Sequence, residues 1–148
     1  TVYTDSTMRI PIKTIRVSVG KAGTETPTGT WTMHRAGRWQ ELMGPSWGQY
    51  GTHVVNGIFV HSVACGQANS YNLPVGEYLR LGNPASHGCI RACVADAKWV
   101  WDNCNGSKIH IFDGTYTSNE ALKGPLGRKA LTPLRGSKNF DPTDPACK

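Results

Sequence analysis

The stretch Ser86-His87-Gly88-Cys89-Ile90-Arg91 decides how the rest of the chain is read. It sets a cysteine at or near the start of the helical pattern that follows, where unpaired amides and the positive end of the helix dipole favour a thiolate. Imidazoles nearby lower a thiol pKa further. Gly88 allows close approach of main chain to a reacting carbonyl, and amides around Cys89 are candidates to hydrogen-bond an oxyanion. The sequence therefore predicts Cys89 as a nucleophile, His61 and His87 as candidate bases, and Arg91 as a two-pronged grip on a substrate carboxylate. Alone, the Gly-Cys pair says little, because a buried cysteine is more often packing than chemistry.

Working outward, Gly57 to Ser62 is a short apolar run that suits a central strand and delivers His61 at its end. Ile10 to Val19 alternates polar and apolar residues as a half-buried strand would, and Gly20 ends it. Thr26-Pro27-Thr28-Gly29 is a turn, after which Thr30 to Met33 resumes strand composition. Residues 35–51, with Trp39, Pro45 and Trp47, read as an irregular aromatic loop available to a substrate groove or to core packing. Residues 64–72 are loop-like, and Leu73 to Leu81 predicts a short helix with Tyr78 and Leu81 inward and Gly82 as its stop. Val94 to Asn103 predicts a second helix, with Val94, Ala97 and Trp101 inward and Asp96 and Lys98 toward water. Lys108 to Phe112 is a further strand, and the proline-bearing remainder is expected to be a loosely ordered tail.

The chain has 148 residues, room for one core, so it is read as one catalytic unit with a core of about 10–113 and a tail over 114–148. No apolar run approaches the ~20 residues of a membrane span, so no membrane contact by this domain is expected. The net charge of +6 draws it toward anionic surfaces. Much of the excess sits in Lys123, Arg128, Lys129, Arg135 and Lys138 without interleaved aromatics, which favours a solvated basic tail over a nucleic-acid site. Five cysteines suggest an oxidising compartment, with two disulfides and one free thiol as the simplest partition. A helix between Cys93 and Cys104 would hold those two too far apart to pair.

The order TPTGTW, FVHS, SHGCIR and VADAKWVWDNC resembles the L,D-transpeptidase catalytic domain, the YkuD family, over roughly Ile10 to Asp113. The resemblance implies a mostly β, sandwich-like fold with one or two short helices. It also implies Cys89 as nucleophile, His61 as its base and the Ser62 carbonyl as the orienter of that imidazole. Gly88 with the Cys89 amide matches the oxyanion site, His87 the second histidine, Arg91 the polar position after the nucleophile, and Ser86 a support for the loop. The stretch from His61 to Ser86 is longer than in compact relatives and contains Cys65 and Tyr71, which implies a lid or substrate wall with Tyr71 on it. The implied reaction is acyl transfer on peptidoglycan stem peptides, serving cell-wall biogenesis and cell shape. It needs no metal or organic cofactor, and carbapenem-type β-lactams are the implied inhibitors. Carboxypeptidase action, with water as acceptor, is the near alternative. The resemblance further implies a monomeric domain excised from a longer protein that is secreted or membrane-anchored and works at the cell wall.

Two rivals use the same cysteine. A papain-like pairing would join Cys89 to His110, although the alternation of Lys108 to Phe112 suits a packed or solvated His110 better. A metal-stapled wall-binding module would use Cys89, Cys93, Cys104 and His110 as zinc ligands, but the spacing lacks two tight pairs.

Overall fold

The computed structural model describes residues 1–113, 125–127, 129–136 and 139–147. Ten short strands and two helices are formed among them, a mostly β fold as the sequence implies. The central sheet has the order β4-β7-β8-β9, built from His34–Arg35, Thr52–Val55, Ile58–Ser62 and Ile90–Ala92. Strands β4, β7 and β8 are antiparallel, whereas β9 runs parallel to β8. A parallel neighbour requires a crossover, and residues 63–89 supply it with helix α1, Val75–Leu79. Helix α2, Val94–Asn103, follows β9 directly and packs Val100 into a core with Met33, Val54, Val60, Ile90 and Cys104. Tyr78 and Leu81 are fully buried in a second cluster, as the pattern of 73–81 requires. Strand β3, Gly29–Thr32, pairs with β10, Lys108–Ile111, while β1, Val2–Tyr3, pairs with β2, Pro11–Lys13.

Five expectations are corrected. The alternating segment 10–19 is a regular strand only at β2, after which Ser18 makes an isolated bridge to Arg91 and is buried rather than solvated. Its hydroxyl reaches the Arg80 carbonyl at 3.1 Å, which satisfies a polar group that alternation would place outside. Residues 35–51 contain a hairpin of β5, Trp39–Leu42, and β6, Ser46–Gln49, around the turn at Met43-Gly44-Pro45. A glycine inside β6 and a proline in the turn between two four-residue strands conceal such a pattern.

Asp96 is the third correction. It is 1% exposed and receives Lys129 at 2.5 Å and Lys13 at 3.1 Å, so it ties the N-terminal ribbon and the C-terminal segment to α2. Burial pushes its carboxyl up, but hydrogen bonds from Lys129, Lys13 and Cys93 outweigh this and leave it below the ordinary value.

The described part of the tail is docked, the fourth correction. Leu131 and Leu134 pack on the second cluster, the Tyr78 hydroxyl donates to the Thr132 carbonyl, and Phe140 is buried. Asp141 Oδ2 accepts the Val94 amide at 2.8 Å and Thr143 Oγ1 accepts the Ala95 amide at 3.0 Å. The N-cap residue, Cys93, makes no side-chain cap bond, so α2 is capped from the tail, a contribution of about 1 kcal/mol. Prolines prevent regular structure here without preventing burial. Lys123, Arg128 and Lys138 lie outside the described residues.

All five cysteines are free thiols, against the expected two disulfides. Cys93 and Cys104 cap opposite ends of α2. The sulfur of Cys65 faces the Val63 carbonyl, that of Cys93 the Asp96 carboxylate, and Cys104 fills the sheet–helix core, each buried as a small hydrophobe.

Asp96→Asn should cost roughly 1–3 kcal/mol at pH 7, since it removes charge-assisted bonds from a buried carboxylate. A depressed folded pKa gives stability that is present above the unfolded value near 3.9 and is lost as pH falls through the folded one. Denaturant midpoints of the two proteins should therefore converge below about pH 4. An equal gap at pH 3 and pH 7 would contradict the role of the charge.

Candidate active site

Parallel pairing of β8 and β9 puts His61 in register with Arg91 and Val60 with Ile90. Cys89 immediately precedes β9, so its sulfur arrives beside the start of β8. The Phe59 amide donates to Cys89 Sγ at 3.4 Å, and the thiol donates to the Gly57 carbonyl at 3.6 Å. Strand β9 intervenes between Cys89 and α2, and the first amides of α2 are taken by Asp141 and Thr143. The thiol therefore does not sit at a helix start, contrary to the sequence reading. Burial pushes Cys89 up, opposed by the Phe59 amide and the Arg91 charge, so the resting group is a neutral thiol.

His61 is 2% exposed, and burial pushes its imidazole down to about 4, against the hydrogen bond to Ser62 and with a further push from Arg91. It is neutral at physiological pH. Nδ1 bonds the Ser62 carbonyl; because a carbonyl only accepts, the proton lies on Nδ1 and Nε2 keeps its lone pair. The wall behind the ring is β6 main chain. A Cβ on Gly48 would lie 2.7 Å from His61 Nδ1 and 2.9 Å from Cγ, so no larger residue fits without moving the imidazole. The next amide, Gln49, donates to Ser62 Oγ at 2.8 Å.

The Ser86–Cys89 loop is closed on itself and held from outside. Ser86 Oγ donates to the Cys89 carbonyl at 2.6 Å and accepts the Gly88 amide at 3.1 Å. Thr26 Oγ1 donates to the Gly88 carbonyl at 2.7 Å, and Thr24 Oγ1 to the Ser86 carbonyl at 3.1 Å. Gly88 has φ +126°, and a Cβ there would meet Ile58 Cδ1 at 2.8 Å. Its amide is spent on Ser86, which removes it from the expected oxyanion pair.

Cys89, His61, Arg91, Ser86 and His87 line one cavity of about 430 Å³, whose opposite wall is the β5–β6 hairpin through Glu41, Leu42, Met43 and Ser46. No hydrogen bond joins Cys89 to His61 among the described residues, so the two groups face a shared space rather than form a resting ion pair. His87 is exposed. Arg91 Nη1 pairs with Glu77 Oε2 at 2.7 Å, from α1 in the long crossover. Tyr71 is not among the cavity-lining residues: its ring packs edge-on against Phe140, and Asn139 Nδ2 donates to its carbonyl, because the tail holds this loop. His110 is exposed on β10 and bonded to Thr30 Oγ1 at 2.7 Å, away from the cavity. Among the described residues no group of three or more His, Cys, Asp or Glu is placed to hold a metal, and Cys93 and Cys104 lie at opposite ends of α2.

The sequence reading missed Gly48, Gln49, Thr24 and Glu77. A glycine within a strand marks close backbone approach, which is the one signal that could have found Gly48.

The match to a known family agrees with this geometry: the L,D-transpeptidase catalytic domain, YkuD, matches residues 1–123. YciB of Bacillus subtilis, named as an L,D-transpeptidase, is 59% identical over 27 residues, 18% of this chain and 14% of that protein. An L,D-transpeptidase structure from Mycobacterium tuberculosis superposes with TM-score 0.53 at 23% identity, over 67% of this chain and 42% of the other. One from Mycobacterium smegmatis gives TM-score 0.52 at 21% identity, over 71% and 51%. At such identities the likeness speaks for the fold, and the matched part is about half or less of each solved chain. With its family match spanning most of its length, the chain belongs to the L,D-transpeptidase catalytic domain family, YkuD.

Proposed function

We propose that this domain is a peptidoglycan L,D-transpeptidase that works through a thioester on Cys89, outside the membrane at the cell wall. The observation that carries the reading is the opening of a neutral thiol and a neutral, tautomer-locked imidazole into one walled cavity. Stem-peptide binding brings the carbonyl of the third residue to Cys89. The thiol proton passes to His61 Nε2 as sulfur attacks that carbonyl, and the oxyanion takes the Cys89 amide as donor. Collapse breaks the bond to the terminal D-alanine, whose amine leaves with the proton from His61. An amine of a neighbouring stem then attacks the thioester, gives its proton to His61 and expels the sulfur, which joins two third residues. Arg91, steadied by Glu77, grips a donor carboxylate, while Ser86 holds the loop and His87 contributes an exposed edge to the substrate wall. LdtMt1, an LD transpeptidase similar in fold, has been solved in complex with imipenem, which supports the expectation that carbapenems acylate Cys89.

Mass spectrometry of a tetrapeptide stem incubated with the wild type should show loss of D-alanine and a cross-linked or trimmed product. Both should fall to background in Cys89→Ala. Equal release by the two proteins would remove Cys89 from the mechanism. A product that is only trimmed would make water the acceptor.

Because burial holds Cys89 as a thiol, iodoacetamide should label it with a rate that climbs about tenfold per pH unit from pH 6 to 8, tracking the thiolate fraction. A rate already flat across pH 6 to 7 would reveal a preformed thiolate–imidazolium pair instead.

A further inference from the structure

We propose that Asp144, in the C-terminal segment, is a positioning residue for His61, acting through the Gln49 side chain and the Ser62 hydroxyl. The inference rests on the reading of His61 as the base. Asp144 Oδ2 accepts Gln49 Nε2 at 2.9 Å, the Gln49 amide donates to Ser62 Oγ at 2.8 Å, and the Ser62 carbonyl accepts His61 Nδ1. Asp144, Gln49, Ser62 and His61 are each 3% exposed or less, so water does not substitute for a lost member of the chain.

The anchoring point matters because of what β6 does. Gly48 lies against the imidazole face, and β6 ends at the next residue, after which Tyr50 takes φ +54° and turns the chain away. The strand end that backs the ring is thus where pairing stops, and Asp144 clamps the side chain of that terminal residue. The clamp is itself oriented beforehand: Asp144 Oδ1 accepts the Ala146 amide at 2.8 Å, which leaves Oδ2 directed at Gln49.

Their partners separate Asp144 from its neighbour Asp141. Asp141 accepts the Val94 amide at the start of α2, although burial still leaves its carboxyl above the ordinary value. Asp144 has no helix end and, among the described residues, no cation within ion-pair distance. A buried carboxylate held by neutral donors, the Gln49 and Ala146 N–H groups and the Cys147 thiol, is a poor source of stability, which fits a part whose use is geometric. The charged and titratable groups that face His61 are Arg91 from β9, Cys89 and His87 from the preceding loop, and Glu41 from β5. Asp144 acts from behind the ring, by setting the β6 wall that keeps the imidazole dry.

The test compares Asp144→Leu and Gln49→Met, which break the clamp, with Asp144→Asn and Asp141→Ala. In Asp144→Asn the amide still offers an oxygen to Ala146 and an N–H to a turned-over Gln49, so the link survives. Asp141→Ala loosens the tail at α2 and at the Asp141–Thr143 turn, and leaves the Asp144–Gln49 bond in place. NMR titration of His61 in the full chain reads the imidazole without turnover, and D-alanine release reads kcat and KM. Asp144→Leu and Gln49→Met should move the His61 titration up from about 4 toward 6.5, raise the acid limb of kcat/KM with it, and lower kcat about tenfold with KM within twofold. Asp144→Asn should behave as the wild type. Asp141→Ala should lower Tm alone. The inference is overturned if breaking the clamp leaves the His61 titration unmoved, or if Asp141→Ala moves it equally. A wild type that releases no D-alanine would instead refute the transferase reading, with the NMR comparison still deciding the clamp.

Discussion

The parallel pairing of β8 with β9 is the constraint from which the site follows. It fixes His61 opposite Arg91 and brings the residue just before β9, Cys89, to the main chain that opens β8. It also forces a long return path, and that path is where α1, Glu77 and the second hydrophobic cluster are built. Had β9 been antiparallel, a two-residue turn would have sufficed and neither α1 nor the Arg91–Glu77 pair would exist.

Electrically the site is quiet at rest. Burying a thiolate and an imidazolium together would cost desolvation energy at both groups, and the structure avoids this by keeping both neutral. The main-chain contacts of Cys89 and the carbonyl partner of His61 fix geometry and tautomer without adding charge. In the mechanism proposed, charge separates only when substrate is present to share it, which is where preorganised dipoles contribute most to rate.

Much of this was legible from residues alone. The Gly57–Ser62 strand, the Val94–Asn103 helix and the inward Tyr78 and Leu81 follow from periodicity, and the Ser-His-Gly-Cys order points to the loop that lines the cavity. What stayed hidden are relations between distant segments. Nothing in the spacing of Asp141 and Thr143 announces a cap for a helix far upstream. The β5–β6 hairpin was masked by its glycine and proline, and Asp96 looked solvated because its two lysine partners come from opposite ends of the chain. The helix start at Val94 is legible, but strand β9 between it and Cys89 is not, and that gap assigns Cys89 a dipole that α2 instead directs at the tail.

The capping of α2 by a residue 47 positions downstream also orders events in time. Synthesis delivers the helix well before Asp141, so contacts of such long sequence separation form only once residues 141–143 have been made. Until then the Val94 and Ala95 amides in the first turn of α2 are without these caps. Maturation of the fold is therefore tied to synthesis of the segment that carries Asp141 and Thr143, and a chain lacking it would leave α2 uncapped.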